Sequence, residues 1–149
     1  MKEPSPAAGY SGTPLARKLG LTDGQAAFFA GLPEPLGWLT GAAQFIEAPR
    51  EKDCRRLKGR AARYDVIHAF FTAAAELAVA APFIRAALKP DGMAWISWPK
   101  KAAKRPTDIT EDTIRDIVLP IGLVDVKVAA VDEVWSGLKL VIRKELRSR

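Results

Sequence analysis

The sequence holds one histidine and one cysteine, and these are the first residues to test for chemistry. Imidazole titrates near neutral pH, which makes His68 a candidate general base. It sits, however, in the middle of an aromatic and β-branched run, YDVIHAFF at 64–71, where a hydrogen-bonded core histidine is the plainer reading. Cys54 precedes Arg55 and Arg56, and nearby positive charge lowers a thiol pKa, so it is a candidate nucleophile set against an incidental exposed cysteine. A single cysteine excludes an intramolecular disulfide. With one histidine it also excludes a zinc site built mainly from Cys and His, so no metal is expected.

The strongest candidate for ligand binding is the segment around Trp98, Lys100 and Lys101. These residues fall at or just past the carboxyl end of a predicted strand, the edge at which open α/β sheets bind ligands. Two lysines beside a tryptophan suit a phosphate or carboxylate, or an aromatic ligand; the competing reading is a core Trp98 with solvated lysines. Trp135, followed by Ser136 and Gly137, opens the last predicted strand and is a candidate to line one pocket, or a subunit contact, with Trp98.

The elements that must position these residues are clearest in the second half. After the strand at 64–71, Thr72 is placed to cap an alanine-rich helix, which Pro82 should kink or split. Lys89-Pro90-Asp91-Gly92 reads as a turn into a strand at 93–98. Asp108 and Glu111 have capping-box spacing, and Ile114, Ile117, Val118 and Ile121 form the stripe of the helix that follows, ended by Gly122. Val124, Val126 and Val128 alternate with charged residues, and 135–143 forms another alternating strand. The first half is weaker. A tail at 1–12 is expected to lack order and Thr13-Pro14 to start a helix over 14–19. An apolar strand is expected at 25–30 and a second strand at 44–47. This order predicts one α/β domain over 13–149, with a mostly parallel sheet and an antiparallel closing pair.

Composition is that of an ordinary globular chain, with 48% hydrophobic and 27% charged residues among 149. The opening residues lack an apolar core, so no secretory signal is expected, and the cytoplasm is the expected compartment. The stretch 66–84 contains His68, Glu76 and Pro82, which argues against a membrane span. The net charge of +6 is clustered. Segment 50–63 carries +5, segment 100–105 carries +4 and segment 143–149 carries +3, leaving −6 elsewhere. Such clusters point to an anionic partner, nucleic acid included, or to solvated loops.

The closing half resembles class I S-adenosylmethionine-dependent methyltransferases. The matching pieces are Tyr64-Asp65-Val66-Ile67, Leu88-Lys89-Pro90-Asp91-Gly92, and Gly122-Leu123-Val124 with the strands after it. That resemblance implies a three-layer Rossmann-like fold, reduced in its N-terminal half. Over nearly its full length the chain also resembles a family of small bacterial proteins, domain of unknown function 3052. The residues concerned are Thr13-Pro14-Leu15-Ala16, Lys18-Leu19-Gly20, Trp98-Pro99-Lys100-Lys101, Gly122 to Lys127, and Trp135 to Lys139. This second resemblance implies no activity.

By the methyltransferase resemblance, cofactor binding would fall to Gly31, in the turn after the first strand, and to Glu47 as the ribose-binding acid. That turn reads Ala30-Gly31-Leu32-Pro33-Glu34-Pro35, with one glycine and two prolines that each remove an N–H donor. The expected function is therefore a non-catalytic methyltransferase-like domain, without cofactor, binding a small anionic ligand or a protein partner. The alternatives are a reduced S-adenosylmethionine-dependent methyltransferase and a nucleic-acid-binding protein using 50–63 and 100–105. Homodimerisation is expected to cover an open sheet edge.

Overall fold

The computed structural model describes residues 14–147; the expectations for the tail at 1–12 and for Thr13 lie outside the described residues. Six strands form one mixed sheet in the order β2-β1-β3-β4-β6-β5. They are β1 (Ala27–Ala30), β2 (Arg50–Glu51), β3 (Tyr64–Phe70), β4 (Leu88–Pro99), β5 (Leu123–Ala130) and β6 (Trp135–Ile142). The first four run parallel, and β6 pairs antiparallel with both β4 and β5. Helices α2 (Ala74–Ala87) and α3 (Glu111–Val118) cover one face, where Ile67, Leu77, Ile84, Ile96 and Ile114 are buried together. Helix α1 (Leu15–Lys18) and a 3₁₀ helix (Glu34–Gly41) cover the other, over Phe29, Val66 and Trp95. The outcome is a three-layer α/β fold with a closing antiparallel pair, as the alternation of patterns predicted.

Strand β3 is buried on both faces apart from Asp65, and the reason is its place in the middle of a covered parallel sheet. The Asp65 carboxylate does structural work at the base of the sheet. One oxygen accepts the Ala26 N–H at 2.8 Å and the Lys89 ammonium at 3.1 Å. It thereby ties the start of β1 and the start of β4 to β3.

Several local expectations are corrected. The 44–47 segment is not a strand: it gives a single bridge, Ala26 to Glu47, and the ladder strand is β2, further along. Proline explains this. Phe29 donates its N–H to the Pro49 carbonyl, but Pro49 has no N–H to return the bond. The alanine-rich helix is not split, because Pro82 points to solvent while Leu77, Ala81, Ile84 and Ala87 hold the buried side. Thr72 does not cap it. Asp108 does so from afar, its carboxylate accepting the Ala74 N–H at 2.7 Å. Asp108 is thus free of the predicted capping box, and Thr110 caps α3 by accepting the Thr113 N–H at 3.1 Å.

The Lys-Pro-Asp-Gly turn is also absorbed. Helix α2 passes directly into β4, and residues 89–92 loop out between the pairs Tyr64–Leu88 and Val66–Met93. Gly92 packs against backbone there. A Cβ at that position would lie 2.9 Å from the Tyr64 carbonyl oxygen and 3.1 Å from that of Lys89. Neither can yield as a flexible side chain would. Gly92→Ala should therefore cost about 1–3 kcal/mol. A lower urea midpoint at unchanged slope checks this, and an unshifted midpoint would refute the close packing.

Candidate functional site

The strand order reverses between β1 and β3, since β2 lies on one side of β1 and β4 on the far side of β3. The connections leaving the two central strands diverge, and a crevice opens beyond their carboxyl ends. A cavity of about 630 Å³ occupies this place. Ala30, Phe70 and Phe71 form its floor at the strand ends; Val79 and Phe83 of α2 form one wall; Lys52, Cys54 and Arg55 form the other. The volume suits a small organic molecule. Val79 is 71% and Phe83 36% exposed, apolar surface that a ligand would remove from water.

Gly31 is the pivot of the turn beside this floor. Its φ of +67° is open to glycine, and a Cβ would come within 3.1 Å of the Phe70 carbonyl oxygen. The turn after it carries Pro33 and Pro35, so two of its residues cannot donate. Glu47, the other residue assigned to a cofactor, bridges to Ala26, at the opposite end of β1 from Gly31. The two do not come together. The Glu47 carboxylate instead takes two bonds from Arg63, at 3.0 and 2.9 Å, and one from the Tyr64 hydroxyl at 3.2 Å.

The acidic groups at the carboxyl end of β2 are Glu51 and Asp53. Asp53 lines the crevice, but one of its oxygens accepts the Arg55 N–H and the other accepts two guanidinium bonds from Arg55. Those bonds hold its carboxyl below the ordinary range. Lys52 and Glu76, also on the crevice wall, form no salt bridge among the described residues, though the Lys52 charge contributes to lowering the Asp53 carboxyl.

Cys54 also lines the crevice, but it is buried rather than exposed, correcting the incidental-surface reading. Burial, then the neighbouring Asp53 charge, pushes its thiol up to about 12, so it is protonated at neutral pH and a poor nucleophile. The reagent dithionitrobenzoate should react slowly with the native protein and fast in denaturant; fast native reaction would show that the thiol is not sealed.

His68 does not reach the crevice. It lies within the sheet, 1% exposed, with Nε2 2.7 Å from the Ser97 hydroxyl and its ring stacked 4.3 Å from Phe70. Burial pushes its pKa down to about 3.

Trp98 and Trp135 belong to opposite faces of the sheet. Trp98 packs with the α2 and α3 core; Trp135 packs on the other side, edge-on to Phe70 at 5.2 Å. They cannot line one pocket. Trp98 and Lys101 border a second groove, of about 600 Å³, with Thr107, Thr110 and Arg115. Lys100 is held nearby by its N–H to the Val134 carbonyl at 2.7 Å. Val79 and Phe83 escaped the sequence reading, and Lys52 entered it only as one cation of segment 50–63. Their one signal is indirect, since β1 ends at Ala30 and its neighbour in the sheet is β3.

A pH test follows from His68. In the unfolded chain its imidazole takes up a proton near 6.5, while in the folded chain it stays neutral down to about 3. The unfolded state therefore binds the extra proton between those values, and stability falls as pH drops from 6.5 towards 3. The slope from this one group is up to about 1.4 kcal/mol per pH unit. Urea unfolding of His68→Gln should show a shallower loss than the parent over that window; parallel curves would contradict a neutral buried imidazole.

No family model and no curated protein matches the chain. Solved structures do. An S-adenosylmethionine-dependent methyltransferase from Aquifex aeolicus superposes with TM-score 0.60 at 14% identity, over 86% of this chain and 87% of that one. A TehB-like S-adenosylmethionine-dependent methyltransferase from Corynebacterium glutamicum gives 0.57 at 15%, over 91% of each. Magnesium protoporphyrin IX methyltransferase from Synechocystis, solved with S-adenosylmethionine bound, gives 0.59 at 15%, over 87% and 74%. Against a mutant of MtNAS the TM-score is 0.60, and there the chain spans only 57% of the other protein. Among the described residues no helix is long and apolar enough to cross a membrane. At these identities the likeness establishes the architecture: the chain has a methyltransferase-like fold.

Proposed function

We propose that this chain is a non-catalytic methyltransferase-like domain that binds a small ligand, apolar in body and anionic at one end, in the crevice at the sheet's order reversal. The observation that carries the reading is the crevice itself. Its walls are mainly apolar, it lies where open α/β sheets bind ligands, and the ammonium of Lys52 stands at its side without a salt bridge among the described residues.

S-adenosylmethionine is the group the fold implies, and the residues present do not suit it. The turn after β1 has lost two donors to Pro33 and Pro35. Asp53 spends both carboxylate oxygens on Arg55, and Glu47 is committed to Arg63 and Tyr64 at the other end of the sheet. The cysteine in the crevice is held protonated and the histidine is sealed in the sheet, so neither supports a base or nucleophile there. The rival reading, a reduced methyltransferase, draws on neighbours such as the Synechocystis enzyme with its bound S-adenosylmethionine.

Anilinonaphthalene sulfonate, an aromatic body with one anionic group, is a suitable probe, and its uncharged analogue phenylnaphthylamine is the control. Val79→Asn, at an exposed helix position, should weaken both dyes severalfold, as expected for a lost apolar contact. Lys52→Met should weaken the sulfonate alone, severalfold. Equal binding by the parent and Val79→Asn would place the dye elsewhere and reject the crevice. Micromolar S-adenosylmethionine binding by titration calorimetry would favour the methyltransferase instead.

A further inference from the structure

The two basic runs of the sequence, 50–63 and 100–105, look alike as strings of letters, but the fold treats them in opposite ways. In the first run, Arg50 pairs with Glu34, Arg55 with Asp53, Arg56 with Glu51, and Arg63 with Glu47. Four of its seven cations are thus matched to carboxylates, two of which lie outside the run. In the second run, Lys100, Lys101, Lys104 and Arg105 make no side-chain hydrogen bond or ion pair within the described residues. Lys101, Lys104 and Arg105 are exposed. The carboxylates that follow are only partly engaged: Asp108 caps α2, and Glu111 and Asp112 share the single Arg115 with Asp125, so three carboxylates divide one cation. Glu133, next to the Val134 carbonyl that receives the Lys100 N–H, is a further exposed acid.

The backbone of this loop is ordered. A short 3₁₀ helix (Lys101–Ala103) is closed by the N–H of Ala103 to Lys100 and of Lys104 to Lys101. Lys104 takes a left-handed conformation, φ 54°, rare for a residue with a side chain. The loop is anchored at one end by Lys100 to Val134 and at the other by the Thr107 hydroxyl, which donates to the Thr72 carbonyl at 2.7 Å. Free charge is therefore concentrated on a rigid corner at the carboxyl end of β4.

We propose that the 100–105 loop is a docking surface for the phosphate backbone of a nucleic acid, held by charge and without reading sequence. The surroundings choose this partner over other polyanions. None of the exposed large hydrophobic side chains among the described residues lies between 98 and 110, and Trp98 itself is buried. A protein partner would need an apolar or aromatic centre to the interface, and an anionic membrane surface would need apolar side chains to insert. Phosphate contacts need neither, because their affinity comes from counterion release.

The test uses the full chain and a fluorescein-labelled DNA duplex, with anisotropy followed as salt is raised. Three or four phosphate contacts predict a log–log slope of about −3, so affinity should fall on the order of 100-fold between about 50 and 200 mM salt. Lys101→Gln with Arg105→Gln leaves the strained Lys104 untouched and should reduce the slope by about 2, for duplexes of any sequence. Arg50→Gln with Arg56→Gln removes the same formal charge from the paired run and should leave the slope within about 0.5 of the parent. Absence of binding at low salt, or equal slopes for the two double variants, would overturn the proposal. So would binding to vesicles containing phosphatidylserine by a protein that ignores DNA.

Discussion

The arrangement depends first on one carboxylate. Asp65 sits at the base of the central strand and reaches both the Ala26 N–H and the Lys89 ammonium. Its own N–H donates to the Ala26 carbonyl, so β1 is clamped to β3 from both sides of a single residue. With that end fixed, the strands are held parallel and in register from Ala27–Val66 to Ala30–Ala69. Their opposite ends must then part company, β1 turning towards β2 and β3 towards α2. The crevice opens where they diverge, at the end of the sheet opposite the Asp65–Lys89 pair.

The same constraint explains why the polar residues that look catalytic in the sequence are silent in the fold. His68 alternates with Ile67 and Ala69 along a strand whose two faces are both covered, so its imidazole can only be satisfied internally, by Ser97 on the neighbouring strand. Gly137, opposite Ser97 in the register, leaves room for that hydroxyl; a Cβ there would stand 3.3 Å from it and 3.1 Å from Trp95. The Trp95 indole is satisfied in turn by the Leu19 carbonyl at 2.9 Å. A buried polar group kept neutral and bonded costs the core little, and the same burial withdraws it from chemistry.

Much of the fold was legible because the C-terminal half obeys simple periodicities. The strands Tyr64–Phe70 and Trp135–Ile142 lie within the runs expected at 64–71 and 135–143, and Ile114 and Val118 of the expected stripe are buried, while Ile121 falls past α3 in the 3₁₀ turn that Gly122 ends. Where the reading failed, a tertiary bond overrode a local signal. Asp108 abandoned its own helix to cap another, and Pro49 shortened a strand by withholding one N–H. The Lys-Pro-Asp-Gly segment loops out where expected, but inside β4 rather than before it, since Leu88 already pairs with Tyr64. The candidate site was less legible, for a different reason. Its walls come from residues at 30, 52–55, 70–83, which no sequence period relates, and which meet only because of the strand order. Trp98 and Trp135, close in the register of β4 and β6, were separated by the one thing spacing did not reveal, the face on which each side chain lies.

The outer strand β5 carries an extra residue, Val126, between the pairs Asp125–Leu140 and Lys127–Lys139. Among the described residues no strand pairs beyond β5, and Val126 and Val128 are half exposed along it. A flat, valine-rich border of eight residues would offer its free amides as a template to any unfolded neighbour. The inserted residue breaks the spacing of those amides and steepens the local twist, and Lys127 places a charge at the same point. Such a defect in the ladder is one of the devices by which edge strands discourage pairing with a further chain.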